Sequence, residues 1–112
     1  MKELIKTIRN FAHRRDWDQF HSPKNLAMAL SVEVAEIVEH FQWLTQAESN
    51  NMDAAKLGAI KEEIADVLIY LTQLADRLGI DPVQAAEEKI RINEKKYPVD
   101  KVKGIAAKYT DL

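Results

Sequence analysis

A chain of 112 residues is long enough for one domain with a modest core. Its 46% hydrophobic and 30% charged residues exclude a chain disordered by composition. A net charge of −2 leaves no basic surplus for collecting a nucleic-acid backbone, and the absence of cysteine excludes disulfides, thiolate catalysis and Cys-ligated zinc or iron–sulfur sites.

The opening stretch MKELIKTIRNF alternates charge with apolar residues. It predicts no secretory leader, and no apolar run reaches the length of a membrane span. With cysteine absent, a cytoplasmic protein is expected. Leu4, Ile5, Ile8, Phe11 and Ala12 follow helical spacing, which predicts an amphipathic helix over about residues 2–14. A loop follows through Trp17, Phe20 and His21. Ser22-Pro23 reads as a cap and first turn, starting a second helix that runs to about residue 43. The polar run Thr45–Asn51 breaks the pattern. Asp53 is suited to cap a third helix, ended by Gly79, and Asp81-Pro82 starts a fourth that Tyr97-Pro98 ends. The last fourteen residues, VDKVKGIAAKYTDL, show no sustained period and are expected to be an ordered or semi-ordered tail. Four helices and no convincing strand predict an all-α fold in a single domain over residues 1–112.

The second helix contains VEVAEIVEHFQW, an apolar stretch with Glu33, Glu36 and Glu39 inside it and no Lys or Arg from Asn25 to Trp43. On a helical wheel Asn25, Ala29, Glu33, Glu36 and His40 fall within about 80° of one another. Glu33 and Glu36 are a turn apart and repel. The third helix repeats the theme in KEEIADVLIY, where Glu63 and Asp66 share a face with Tyr70. One E-x-x-E is most often a solvated face. Two acidic pairs on adjacent apolar helices instead predict convergence on a hard divalent cation, Mg²⁺ or Mn²⁺, which would offset the repulsion. A di-iron bundle needs Glu-x-x-His on two helices; His40 is preceded at that spacing by Ile37, so the motif is missing.

Trp17, Phe20, His21, Trp43 and Tyr70 are each accounted for singly by ordinary packing or loop hydrogen bonding. Together, near the acid faces, they suit a flat base. In KIRINEKKYP, Lys89, Asn93 and Lys96 share one helical face and suit phosphate, although cations at a helix C-terminus are also favourable for the helix itself. The second and third helices are apolar around most of their circumference, which predicts a homo-oligomer interface.

Glu33-x-x-Glu36, followed after 26 intervening residues by Glu63-x-x-Asp66, resembles the signature of the MazG-like all-α nucleoside triphosphate pyrophosphohydrolases. RDWDQFHSPKNLAMALSVEVAEIVEHFQW, EEIADVLIYL, KIRINEKKYP and KYTDL are most similar to the branch that includes the dCTP pyrophosphatases. The resemblance implies a four-helix MazG-like bundle and Mg²⁺-dependent hydrolysis of dCTP or other deoxynucleoside triphosphates to monophosphate and pyrophosphate, clearing the nucleotide pool. It implies Glu33, Glu36, Glu63 and Asp66 as metal ligands, with Glu36 or Glu63 as general base. Trp17, Phe20, His21, Asn25, Trp43 and Tyr70 would shape the base and sugar pocket, and Lys89, Asn93 and Lys96 would steady phosphates or sugar. It further implies a dimer or, in preference, a tetramer, with neither nucleic acid nor membrane as partner. The competing class is a non-catalytic helical oligomer that binds nucleotide or a protein partner; the intact acid quartet favours the enzyme.

Overall fold

The computed structural model describes residues 1–106 and 110. Six α-helices follow in order: α1 (Lys2–Arg14), α2 (Pro23–Phe41), α3 (Gln46–Ser49), α4 (Ala54–Arg77), α5 (Pro82–Lys96) and α6 (Val99–Val102). A 3₁₀ turn, Asp18–Phe20, lies between α1 and α2. The described residues contain no strand, in line with the all-α expectation. The chain divides into two compact units, Met1–Ile80 and Asp81–Leu112.

Helices α2, α4 and α5 begin where side-chain oxygens take up free backbone amides. Ser22 Oγ accepts from Asn25 N at 3.2 Å, with Pro23 in the first turn of α2. Asp53 Oδ1 accepts from Lys56 N at 2.8 Å and opens α4. Asp81 Oδ1 accepts from Val83 N and Gln84 N and opens α5. Gly79, at φ +69°, takes the left-handed conformation that ends the α4 segment.

Two short helices exceed the four that periodicity predicts. The polar run after Trp43 folds into α3, because Thr45 and Glu48 close a reciprocal capping box. The Thr45 hydroxyl accepts from Glu48 N at 3.1 Å, and Glu48 Oε1 accepts from Thr45 N at 3.0 Å. These bonds hold the Glu48 carboxyl below its ordinary value. The other short helix, α6, opens the expected irregular tail. Most of KYTDL lies outside the described residues.

In the first unit α4 packs against both α2 and α1. The core is small: Ile8 and Ala12 from α1, Leu26 from α2, Ile60 and Ala75 from α4. Arg9 clamps α1 to α4 through a two-pronged pair with Asp76, at 2.8 Å and 2.5 Å. The Arg9 hydrogen bond is the main reason the Asp76 carboxyl sits below its ordinary value of 3.8; burial opposes it, and the charges of Arg9 and Arg77 assist. No described helix is long and apolar enough to cross a membrane.

Two predictions follow from this packing. Thr72 is fully buried on α4 and its hydroxyl oxygen has no hydrogen-bond partner. Thr72→Val keeps the shape and removes the unpaired group, so it is expected to stabilise the fold by about 1 kcal/mol, read from urea unfolding. Asp76→Asn is expected to lower the melting temperature at pH 7. The lowered Asp76 carboxyl contributes stability above its unfolded value and loses it as pH falls through its folded value. The gap between variant and wild type should therefore close below about pH 4. Arg9 is 62% exposed, so the effect at pH 7 is expected to be modest.

Candidate active site

The loop between α1 and α2 is tied down before it reaches the site. Asp16 adopts φ +53°, a left-handed turn that a short polar side chain tolerates. Trp17 N donates to the Ala12 carbonyl at 3.0 Å, and Gln19 Nε2 donates to the Asp16 carbonyl at 3.0 Å. Arg77 on α4 donates to the Asp18 carbonyl at 2.6 Å. Asn25 Nδ2 donates to the Phe20 carbonyl at 3.0 Å, so this residue holds the loop whatever else it touches.

The pinned loop sets Trp17 and His21 over α1 and α4. A cavity of about 350 Å³ opens there, lined by Trp17, His21, Asp66, Tyr70, Phe11 and Gln73 among others. That volume is at the small end for a ligand site. Phe11 and Trp17 meet edge to face, centroids 5.7 Å apart, and Trp17 meets His21 at 6.4 Å. Gln73 Nε2 lies 3.3 Å from His21 Nδ1. Of the aromatic and polar candidates, Trp17, His21 and Tyr70 share this cavity. Phe20, Asn25 and Trp43 are not among its walls; Trp43 projects 86% exposed beyond the end of α2.

The acid pairs of α2 and α4 are neighbours. The Glu33 carboxyl is pushed above its ordinary value, first by burial, then by a hydrogen bond with Glu36 and by the charges of Glu36, Asp66 and Glu63. All four carboxylates therefore act on one point. Glu33 Oε2 and Glu63 Oε2 are buried without a hydrogen-bond partner. His40 Nε2 stands 2.6 Å from Glu63 Oε2, close enough to pair by charge, but the contact lacks the alignment of a hydrogen bond. Among the described residues no three His, Asp or Glu side chains are drawn together tightly enough to hold an ion as they stand. The donor chemistry nonetheless fits a hard divalent cation: orphaned, buried carboxylate oxygens in mutual repulsion are what such an ion would satisfy.

Lys89, Asn93 and Lys96 lie on α5, in the second unit, at the spacing of one helical face. Reading the sequence missed Phe11, which looks like one more core position of an amphipathic helix, and Gln73, which carries no motif. The His40–Glu63 contact joins residues far apart in sequence, so only its wheel position next to Glu36 hinted at it.

The MazG-like family profile matches residues 28–112. The rat protein dCTP pyrophosphatase 1 is 42% identical over the whole of this chain, which spans 67% of the rat protein. The human dCTP pyrophosphatase 1 is 40% identical over the same extent. A crystal structure of a pyrophosphatase from Archaeoglobus fulgidus superposes with a TM-score of 0.83 at 45% identity, covering 88% of this chain and 92% of that one. Profile, whole-chain relatives and backbone all agree: this chain belongs to the MazG-like family.

Proposed function

We propose that the protein hydrolyses nucleoside triphosphates between the α- and β-phosphates, releasing monophosphate and pyrophosphate, with dCTP as its preferred substrate. The observation that carries this reading is the join between two features. Asp66 belongs to the acid cluster and also lines the aromatic cavity. A base held against Trp17, His21 and Tyr70 would thus have its phosphates beside the carboxylates. The whole-chain likeness to dCTP pyrophosphatases supports the choice of base.

In this reading Glu33, Glu36, Glu63 and Asp66 hold Mg²⁺, or Mn²⁺ in its place. When bound, the ion supplies positive charge for the phosphate oxygens and acidifies an attacking water. The chain's own groups do the rest. Water attacks the α-phosphorus, the bond to the bridging oxygen breaks, and pyrophosphate leaves. The water's proton goes to a carboxylate. Glu63 already has the His40 imidazole against it, so Glu36 serves as the base. Trp17 and Tyr70 offer ring faces to the base, and Phe20, Asn25 and Trp43 complete the substrate's surroundings. Lys89, Asn93 and Lys96, on one face of α5, are proposed to steady phosphates or sugar.

We further propose that the chain self-associates. Val32 (55% exposed) and Val38 (53%) on α2 and Ile64 (54%) on α4 leave apolar surface that copies of the same chain would cover. A tetramer would cover more of it than a dimer. Removal of unwanted nucleotides from the pool is the role that such chemistry serves.

The direct test incubates the protein with each dNTP and NTP, with Mg²⁺ or with EDTA, and separates the products. Monophosphate and pyrophosphate are expected, only with metal, and fastest from dCTP. Diphosphate with orthophosphate would overturn the assigned bond, and no turnover would leave a binding protein. Glu36→Gln is expected to keep the helical fold by circular dichroism and to lower kcat by two or more orders of magnitude, about 3 kcal/mol of barrier. Glu33→Gln tests the metal without turnover. A raised carboxyl contributes stability below its unfolded value and loses it as pH rises through its folded value, so ionised Glu33 destabilises the metal-free fold at pH 7. Metal-free Glu33→Gln should melt above wild type at pH 7, with the gap shrinking as pH falls and closed by pH 4.5. Mg²⁺ should raise the melting temperature of wild type more than that of the variant. Equal Mg²⁺ shifts would remove Glu33 from the ligand set.

A further inference from the structure

The face of α2 that carries Glu33 and Glu36 carries His40 one turn further on. The His40 ring reaches across to α4, where Nε2 stands 2.6 Å from Glu63 Oε2. Both side chains are largely enclosed, at 19% and 23% exposed. Two atoms that each present a lone pair do not rest so close together, so Nε2 carries a hydrogen. The distance is that of a hydrogen bond, and only the alignment falls short. Glu63 Oε2 is closed to water. An oxygen in that position must be satisfied by a neighbour, and His40 is the neighbour in place.

We propose that His40 is a positioning residue of the acid cluster: from α2 it holds Glu63 Oε2, so that the other oxygen, Oε1, is presented to the divalent cation. This rests on the reading of Glu33, Glu36, Glu63 and Asp66 as metal ligands. A carboxylate free to turn about its last torsion offers either oxygen and loses that freedom on binding. Holding one oxygen beforehand removes the cost. The N–H of His40 also brings positive charge to the most crowded part of the cluster without adding a ligand. Partners of this kind, one step behind a metal-bound carboxylate, orient it and tune its affinity. His40 is not itself a ligand in this arrangement. The nitrogen that reaches the cluster is turned to Oε2, and a hard cation prefers oxygen.

The test titrates Mn²⁺ into the protein without nucleotide and reads the affinity by electron paramagnetic resonance. His40→Leu is expected to keep its helical circular dichroism and to bind Mn²⁺ about tenfold or more weakly than wild type. His40→Gln, whose amide nitrogen reaches about as far as Nε2, is expected to restore the affinity to within about threefold. In a Glu63→Gln background His40→Leu is expected to cost nothing further, because the oxygen it held no longer belongs to a ligand. Pulsed spectra of Mn²⁺ bound to wild type are expected to show no directly bonded imidazole nitrogen. Wild-type affinity in His40→Leu, a His40→Gln as weak as His40→Leu, or an undiminished loss in the Glu63→Gln background would each overturn the proposal. A manganese–nitrogen bond would overturn it too, and that measurement needs no variant to fold. No Mn²⁺ binding by wild type would overturn the metal reading and the role of His40 together. Binding that depends on His40 in a protein that hydrolyses no triphosphate would overturn the reaction proposed above and leave the role of His40 standing.

Discussion

Four carboxylates on two packed helices repel one another, and the rest of the first unit is arranged around that repulsion. Glu33 and Glu36 on α2 face Glu63 and Asp66 on α4, and the Glu33 carboxyl is raised by burial and by all three neighbours. In water such charges would be screened within about a Debye length, roughly 10 Å. Here two of their oxygens are shut away from water without a hydrogen-bond partner. His40 stands against Glu63 as the one cation-forming side chain paired with the cluster among the described ion pairs. A fold tolerates an arrangement of this kind where a ligand offsets it, which is why the cluster supports the proposed site.

The forces that hold α2 and α4 together despite this repulsion are modest individually. Only five of the described apolar residues are deeply buried. Polar ties do much of the remaining positioning: Arg9 to Asp76 joins α1 to α4, and Arg77 to the Asp18 carbonyl joins the loop to α4. Both ties reach the C-terminal part of α4, the end away from Glu63. The aromatic cavity thus has firm support behind it and the acid cluster in front. Two of its lining side chains, Trp17 and His21, sit on a loop whose backbone is hydrogen-bonded on both sides, which gives a short connection the rigidity of an element.

Much of this was legible in the sequence for a simple reason: caps and helical periods are local. Ser22-Pro23, Asp53 and Asp81-Pro82 each mark a helix start that the structure reproduces. The acid pairs were legible because i, i+3 spacing fixes a shared face wherever a helix forms. Thr45-x-x-Glu48 is also a local signal and predicts α3; it was obscured by the polar composition around it. What stayed hidden depends on which helices meet. Gln73 and His21 are 52 positions apart, and nothing in either neighbourhood announces the other. Phe11 belongs to a helical stripe whose core-facing and cavity-facing members look alike until α1 is placed on α4. The roles of Lys89, Asn93 and Lys96 likewise rest on the resemblance, since their spacing says only that they share a face of α5.

The exposed apolar face and the charged cluster are linked by the same helices. On α2, Val32, Val34 and Val38 are exposed while Glu33 and Glu36, between them in sequence, are partly buried. An isolated subunit would normally orient such a helix the other way, with valines inward and glutamates in water. The inversion is understandable if the glutamates must face α4 to form a site, because α2 then has its valines on the remaining surface. Covering that surface with another copy of the chain would bury the valines and lower the dielectric around the carboxylates in one step. Site and oligomer would then be mutually dependent: the acids would dictate the orientation of α2, and that orientation would create the apolar surface on which copies of the chain could associate.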